Sequence, residues 1–225
     1  GAHIPRHFPR PFHAPRVALL LVSDAELAID IGKYYFNGGA YDLERAKRAF
    51  EKARAIDSSI LGPRFQLSRI EFIKGDFSAA LILANEELAL HPEFDRIYYL
   101  RGLIHGYAGN LDAAAVDFQE FLKTHPKSWA AHNDLAWIYF QQGKFADAAD
   151  TAKNGLQFAP SSPWLLTMYG TALLNLGEKS DAKEVLLRAL VEAEKLSAQE
   201  WGMAYPGNNP AIYPQGLTSM RDTIQ

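Results

Sequence analysis

The sequence predicts an all-α solenoid, a row of antiparallel helix pairs in which each pair packs on the next. Three residue types recur every 34 positions along the 225-residue chain. The recurring residues are Gly75, Gly109, Gly143 and Gly177, then Ala46, Ala80, Ala114, Ala148 and Ala182, and finally Pro92, Pro126 and Pro160. One period shared by independent residue types is typical of a repeat architecture.

Each recurring residue has a physical task in a helix pair. The glycine, such as Gly143, separates two segments of helical apolar spacing and supplies the positive φ of a tight turn. The alanine, such as Ala148, lies on the second helix where two helices approach closely. The proline, such as Pro160, follows the second helix and prevents its continuation. Apolar residues recur at helical spacing between these marks, so each repeat is expected to contain two helices.

The period divides residues 23–197 into five repeats. The first contains two additional residues, in the turn around Gly38 and Gly39. The predicted repeats span 25–60, 61–94, 95–128, 129–162 and 163–197. Each repeat buries its apolar face only against its neighbours, so the end repeats need covers. Residues 1–22 and 198–225 are available for that role.

The marks resemble the tetratricopeptide repeat (TPR) family. The matching residues are Ile31-Gly32, Tyr35, Ala46, Phe50 and Ala53 in repeat one, Leu135-Ala136, Tyr139, Ala148 and Pro160 in repeat four, and Tyr169-Gly170, Ala182 and Ala189 in repeat five. Four positions depart from the family pattern. Arg101 stands where the family has Leu, Glu87 and Gly155 replace an alanine of the second helix, and Ser58 replaces the proline. The resemblance covers residues 25 to about 197 and implies a right-handed solenoid, with the first helix of each repeat on the concave surface.

The N-terminal segment 1–22 is a Pro-rich basic arm. It contains Arg6, Arg10 and Arg16, and no acidic residue precedes Asp24. We interpret it as a solvated leader, and an electrostatic tether is the alternative. The chain begins with Gly1 rather than Met, which suggests a processed end or a scar of tag removal, so a signal or anchor upstream stays open.

The C-terminal segment contains two helix signals. Ser197 and Glu200 have the spacing of a capping box, which predicts a short helix ending before Pro206. The alternative is that Ser197 continues the last repeat helix. Leu217, Met220 and Ile224 lie at helical spacing and predict a final packing helix.

The composition excludes several kinds of chemistry. The chain has no cysteine, which rules out thiolate metal sites and a cysteine nucleophile. Its longest aliphatic run, Val17–Val22, is far shorter than the roughly 20 residues of a membrane span. The mildly acidic body offers no basic track for nucleic acid. No catalytic or metal-binding motif is present, so we predict no enzyme activity, no metal and no cofactor.

The resemblance implies which residues face a ligand in the concave groove. The predicted groove residues are Arg69, Phe72, Arg96, Tyr99, Tyr107, Asn133, Trp137, Phe140, Gln141, Thr171 and Asn175. Trp137 and Phe140 lie one turn apart beside an Asn, which favours the groove. Phe65 and Trp164 are equally explained by packing. The Lys and Asn clamp of chaperone-binding family members is not expected, because Phe65 and Arg69 stand at its first positions.

These residues predict an interaction scaffold that holds a protein or peptide segment in an aromatic groove. A self-assembling solenoid is one alternative, with residues 4–16 or the C-terminal tail lying in a groove. A second alternative is the receptor part of a membrane-anchored assembly protein. The compartment stays unknown. The cytoplasm is slightly favoured, and a membrane-anchored or extracytoplasmic place applies if an upstream segment was removed.

Overall fold

The computed structural model describes residues 22–37, 41–204 and 209–224. In these residues the regular structure is entirely helical, with twelve α-helices and one 3-10 turn. The helices are α1 (Ala25–Asn37), α2 (Leu43–Ile56), α3 (Pro63–Ile73), α4 (Phe77–Leu90), α5 (Arg96–Tyr107), α6 (Leu111–Thr124), α7 (Trp129–Gln141), α8 (Phe145–Leu156), α9 (Pro163–Asn175), α10 (Lys179–Lys195), α11 (Ala198–Met203) and α12 (Tyr213–Ile224).

The first ten helices form five consecutive pairs. Within this series, each helix packs on the next one along the chain. The first helices α3, α5, α7 and α9 also touch one another in succession, and the second helices do not approach each other to the same extent. The first helices therefore line the inner, concave side of the stack, which is called the first-helix face below. The predicted α-solenoid is confirmed.

The four periodic glycines form the turns within the helix pairs. Gly75, Gly109, Gly143 and Gly177 have φ values of 80°, 83°, 72° and 85°. A Cβ at any of them would meet nothing within 4 Å, so the requirement for glycine is conformational and not steric. The prediction of a positive φ at these positions is confirmed.

The periodic alanines lie in the contact between helices. Ala46, Ala80, Ala114, Ala148 and Ala182 are all fully buried. Small residues on the first helices pack against large side chains of the second helices. A Cβ at Gly32 would lie 2.5 Å from the Phe50 ring, and one at Gly102 would lie 2.9 Å from the Phe118 ring. This alternation of small and large side chains fixes the spacing of each pair.

Two of the residues that depart from the family pattern form polar contacts with a neighbouring helix or turn. Arg101 of α5 forms a two-bond ion pair with the buried Asp117 of α6, at 2.9 and 3.1 Å. The fully buried Glu87 of α4 accepts a hydrogen bond of 2.5 Å from the backbone N–H of Gly62, just before α3. Each polar substitution thus links two helices that a Leu or Ala would join by packing.

The C-terminal segment packs on the last helix pair. The helix α10 ends at Lys195, and α11 begins with a capping box in which Ser197 and Glu200 exchange hydrogen bonds. The alternative in which Ser197 continues the last repeat helix is therefore wrong. Met220 and Ile224 of α12 pack in the core of α9 and α10, as their spacing predicted.

Some predictions fall on residues outside the described ranges. They concern the arm up to residue 21, the turn around Gly38 and Gly39, and the turn at 205–208. Within the described ranges, no helix combines the length and the apolar character that crossing a membrane requires.

Candidate functional site

Three aromatic side chains form a continuous strip across the first-helix face. Phe72 of α3 contacts Tyr107 of α5 at a ring-centroid distance of 5.4 Å, and Tyr107 contacts Trp137 of α7 at 5.6 Å. Tyr107 is 61% exposed, and the other two rings are partly buried. This aromatic strip (Phe72, Tyr107 and Trp137) crosses three repeats and presents apolar area to solvent.

The backbone beside Tyr107 sets the approach of α7. Gly106 is buried in α5, and a Cβ there would lie 2.8 Å from Ile138 and 3.0 Å from the Trp137 ring. The missing side chain thus allows Trp137 to lie against α5 next to Tyr107. The strip depends on this glycine as well as on its three rings.

A carboxylate lies next to the aromatic strip. Asp134 of α7 accepts a hydrogen bond of 2.5 Å from the Tyr99 hydroxyl and one of 3.2 Å from the Asn133 side-chain amide. Burial raises the pKa of the Asp134 carboxyl to about 6, and the two hydrogen bonds oppose that rise. We call Asp134, Tyr99 and Asn133 the Asp134 site. Partial desolvation of Tyr107, whose ring lies between Phe72 and Trp137, and secondarily the charge of Asp134 raise the pKa of Tyr107.

Two arginines belong to the first-helix face, Arg69 on α3 and Arg96 on α5. The Arg69 guanidinium lies 4.4 Å from the centroid of the Phe36 ring and donates a hydrogen bond of 2.8 Å to Gln66. Burial, with the nearby charge of Arg96, lowers the pKa of Arg69 to about 10, so it stays charged at neutral pH. Arg96 is exposed at the start of α5.

Several predicted groove aromatics also take part in packing. The Tyr99 ring lies against Phe118 and Phe121 of α6, with centroid distances of 5.6 and 5.2 Å. Phe140 contacts Phe145 of α8 at 5.2 Å. For these two residues the ring fills space between helices, and only the Tyr99 hydroxyl belongs to the polar chemistry of the face.

Phe65 and Trp164, for which the sequence left groove binding and packing open, both contact aromatic neighbours. Phe65 contacts Phe94 at 5.2 Å, and Trp164 contacts Trp129 at 5.4 Å. These contacts are the packing alternative considered for both residues.

The predicted polar residues of α9 form their hydrogen bonds within that helix. Thr171 donates to the Thr167 carbonyl at 2.7 Å, and Asn175 donates to the Thr171 carbonyl at 2.9 Å. Gln141 is exposed at the end of α7. The structure thus brings together Phe72, Tyr107 and Trp137, with Tyr99 and Asn133 beside them.

Sequence reasoning placed Tyr99 and Asn133 in the groove but did not include Asp134. The equivalent positions of repeats two, three and five are the uncharged Gln66, Leu100 and Met168, and that of repeat one is Asp30, which is exposed and pairs with Lys33 of the same helix. An acid found in only two of the five repeats, as Asp30 and Asp134, is passed over by a search for residues that most repeats share. In the described part of the chain, no group of three His, Asp or Glu residues is arranged to hold a metal ion.

Comparisons with known proteins agree with the geometry. Two tetratricopeptide repeat family models match residues 99–163 and 140–201. The TPR repeat-containing protein YpiA of Bacillus subtilis (strain 168) is 24% identical over 173 residues, which are 75% of this chain and 40% of that protein. Human tetratricopeptide repeat protein 6 is 32% identical over 66 residues, 29% of this chain and 13% of its own length. The chain thus spans less than half the length of both curated relatives.

Solved structures share the fold at low sequence identity. A crystal structure of MamA has a TM-score of 0.66 at 19% identity, covering 76% of this chain and 92% of that one. MamA from Desulfovibrio magneticus RS-1 has a TM-score of 0.69 at 15% identity, covering 77% and 97%. YrrB has a TM-score of 0.64 at 17% identity, covering 77% and 88%. The periodic marks, the helix pairs and these matches together show that the chain belongs to the tetratricopeptide repeat family.

Proposed function

We propose that the chain is a non-catalytic interaction scaffold that holds a segment of a partner protein against the aromatic strip. The observation that carries this proposal is Tyr107, which is 61% exposed while its ring touches both Phe72 and Trp137. An aromatic platform of this kind offers apolar area at a low cost in side-chain entropy, which suits an extended or helical segment.

The fold and its relatives support an interaction scaffold. Repeat solenoids use their extended concave surfaces for binding, and proteins built from tetratricopeptide repeats are generally non-catalytic. The structural neighbour YrrB is described as a TPR protein with an unusual peptide-binding site. That description supports a peptide or protein segment as the ligand class for this chain.

The test compares partner capture by three full-length proteins: the wild type, Tyr107→Ser and the matched control Val116→Ser. Val116 lies on the second helix α6 and is 62% exposed, a fraction similar to that of Tyr107. Its replacement therefore removes an exposed apolar side chain that is not on the first-helix face. Tyr107→Ser is preferable to changing Tyr99 or Phe140, because those rings fill space between helices. Circular dichroism first establishes that the helices are intact.

Quantitative co-purification from the native cells then gives the outcome. We expect at least one partner to be lost with Tyr107→Ser and retained with Val116→Ser. An unchanged partner set with Tyr107→Ser would overturn the proposal. The same losses with both variants would also overturn it, because they would show a general effect of surface change.

The two alternatives stay predictions. For self-assembly, the described part of the tail lies on its own chain: Tyr213 contacts Trp201 at 6.1 Å, and α12 packs on α10. A tail that occupies a neighbouring groove would first have to leave these contacts. The basic arm and a membrane-anchored receptor both concern residues outside the described ranges.

A further inference from the structure

We infer that the Asp134 site selects a basic side chain, a lysine ammonium or an arginine guanidinium, on the segment that the aromatic strip binds. The inference rests on the proposed function and names the chemistry of the ligand. It is carried by the position of one carboxylate beside the exposed Tyr107 ring and the partly buried Trp137 ring.

The Asp134 carboxylate has hydrogen-bond donors but no counter-ion within the described ranges. Tyr99 and Asn133 donate to its two oxygens. The ion pairs found in those ranges involve other acids, and no Lys, Arg or His of the described residues pairs with Asp134. A negative charge kept at a ligand-facing position in this way is complementary to an incoming cation.

The rings around the carboxylate favour the same ligand. Trp137 lies one helical turn after Asp134 on α7, and Tyr107 contacts Trp137 at 5.6 Å. The faces of tryptophan and tyrosine rings attract ammonium and guanidinium groups. The long aliphatic stem of Lys or Arg can pack on the rings while its charged end reaches the carboxylate. An apolar side chain would use the rings and leave the charge unmatched.

Two arginines of the first-helix face limit where such a residue can bind. Arg69 lies on α3, Arg96 begins α5 one turn before Tyr99, and each repels a basic side chain. The carboxylate of Asp134 lies on α7, two repeats beyond α3. A bound segment would thus place its basic residue at α7, and an acidic residue, if present, toward Arg69 and Arg96. The charges give the groove a direction.

The surroundings of Asp134 are simple enough for a pH test. Its ionisable neighbours are Tyr99, which donates a hydrogen bond to it, and Tyr107, both of α5, and no charged group of the described residues of α6, α8 or α9 shifts its pKa. A bound cation lowers the pKa of the carboxyl, so a basic ligand binds best above pH 6. Its affinity is expected to weaken as the pH falls below that value.

The experiment is selection from a random twelve-residue peptide display library at pH 7.5. The proteins are the full-length wild type, Asp134→Asn and the control Val116→Ser. We expect the wild type and Val116→Ser to enrich peptides rich in Lys or Arg, and Asp134→Asn to enrich peptides without that preference. A selected basic peptide should bind Asp134→Asn about tenfold more weakly than the wild type. At pH 5.5 its affinity for the wild type should fall, and that for Asp134→Asn should not.

A change in the ligand tests the same contact without altering the protein. Citrulline in place of arginine, or acetyl-lysine in place of lysine, removes the charge of the selected peptide. Either peptide should lose about tenfold in affinity for the wild type and little for Asp134→Asn.

The outcomes separate the two proposals. A wild type that enriches no peptide would overturn the proposed function. Enriched peptides with no basic preference, or an unchanged preference with Asp134→Asn, would overturn only the assignment of the Asp134 site. Equal binding of the citrulline or acetyl-lysine peptide by the wild type would also overturn that assignment.

Discussion

Asp134 shows how one residue can oppose the stability of the fold. Burial raises the pKa of its carboxyl to about 6, whereas the ordinary value is 3.8. The folded protein therefore binds this proton more tightly than the unfolded chain, and stability from this group decreases as the pH rises between the two values. At neutral pH the ionised carboxylate is a net cost, which the hydrogen bonds from Tyr99 and Asn133 reduce.

The first prediction for this residue concerns stability. We expect Asp134→Asn to raise the free energy of unfolding at pH 7.5 by about 1–2 kcal/mol, because asparagine keeps the shape without the charge. The gain should almost vanish near pH 4, where the folded wild type is protonated. Urea unfolding of both proteins at the two pH values measures the difference. An equal difference at both values would show that the charge is not its cause.

The rings of the face show what a periodic position can and cannot predict. The resemblance indicates the face for Tyr99, Tyr107 and Trp137 alike, since it depends only on their place in the repeat. It does not indicate that the Tyr99 ring packs on Phe118 and Phe121 while the Tyr107 ring is exposed. That division depends on the side chains of the neighbouring helices, which differ from repeat to repeat.

At the scale of the element, the turns could be predicted because the turn within a helix pair needs a positive φ at the same position of successive repeats. Gly75 and Gly143 recur for a backbone reason, and their positive φ values follow from it. In the sequence, Glu87 is visible only as a departure from the family pattern. Its bond to the Gly62 backbone occurs once and depends on how α4 and α3 meet. Periodicity therefore predicts the helix pairs well and single polar contacts poorly.

The ion pair between α5 and α6 gives a prediction at this scale. Arg101 holds Asp117 by two hydrogen bonds, and Asp117 is only 2% exposed. Replacing one partner leaves the other charge buried, so Arg101→Leu should lower the free energy of unfolding by about 3 kcal/mol. His105, with Nε2 at 3.9 Å from Asp117, is too distant to replace the guanidinium.

The double variant Arg101→Leu/Asp117→Val is the matched test of that reasoning. It places an apolar pair at the contact, as in repeats two and five, where Leu83 and Val185 stand at the position of Asp117. We expect the double variant to recover most of the lost stability. Urea unfolding of the two single variants and the double variant gives the coupling energy. Additive losses would contradict the prediction, because they would mean that the two charges stabilise the fold independently.

At the scale of the whole molecule, a solenoid distributes its stability among neighbouring repeats. Each helix of α1–α10 contacts mainly the helices next to it in the chain. The effect of a local change on stability therefore reaches the adjacent helix pairs and weakens with distance along the solenoid. The aromatic strip and the Asp134 site lie on α3, α5 and α7, away from the C-terminal segment on α10. Loosening that segment should leave the binding face intact.

Arg221 offers the means to test this separation. Its guanidinium donates hydrogen bonds of 3.1, 3.0 and 2.9 Å to the carbonyls of Ala193, Glu194 and Leu196, at the end of α10. Arg221→Ala leaves those carbonyls without this donor and weakens the contact of α12 with α10. We expect amide hydrogen exchange in α10 and α12 to accelerate about tenfold, and exchange in α5–α7 to stay unchanged. The exposed Arg188 lies on α10 as well, and Arg188→Ala is the control for the loss of a charge. Exchange that accelerates equally in every helix would show one cooperative unit and contradict the nearest-neighbour description.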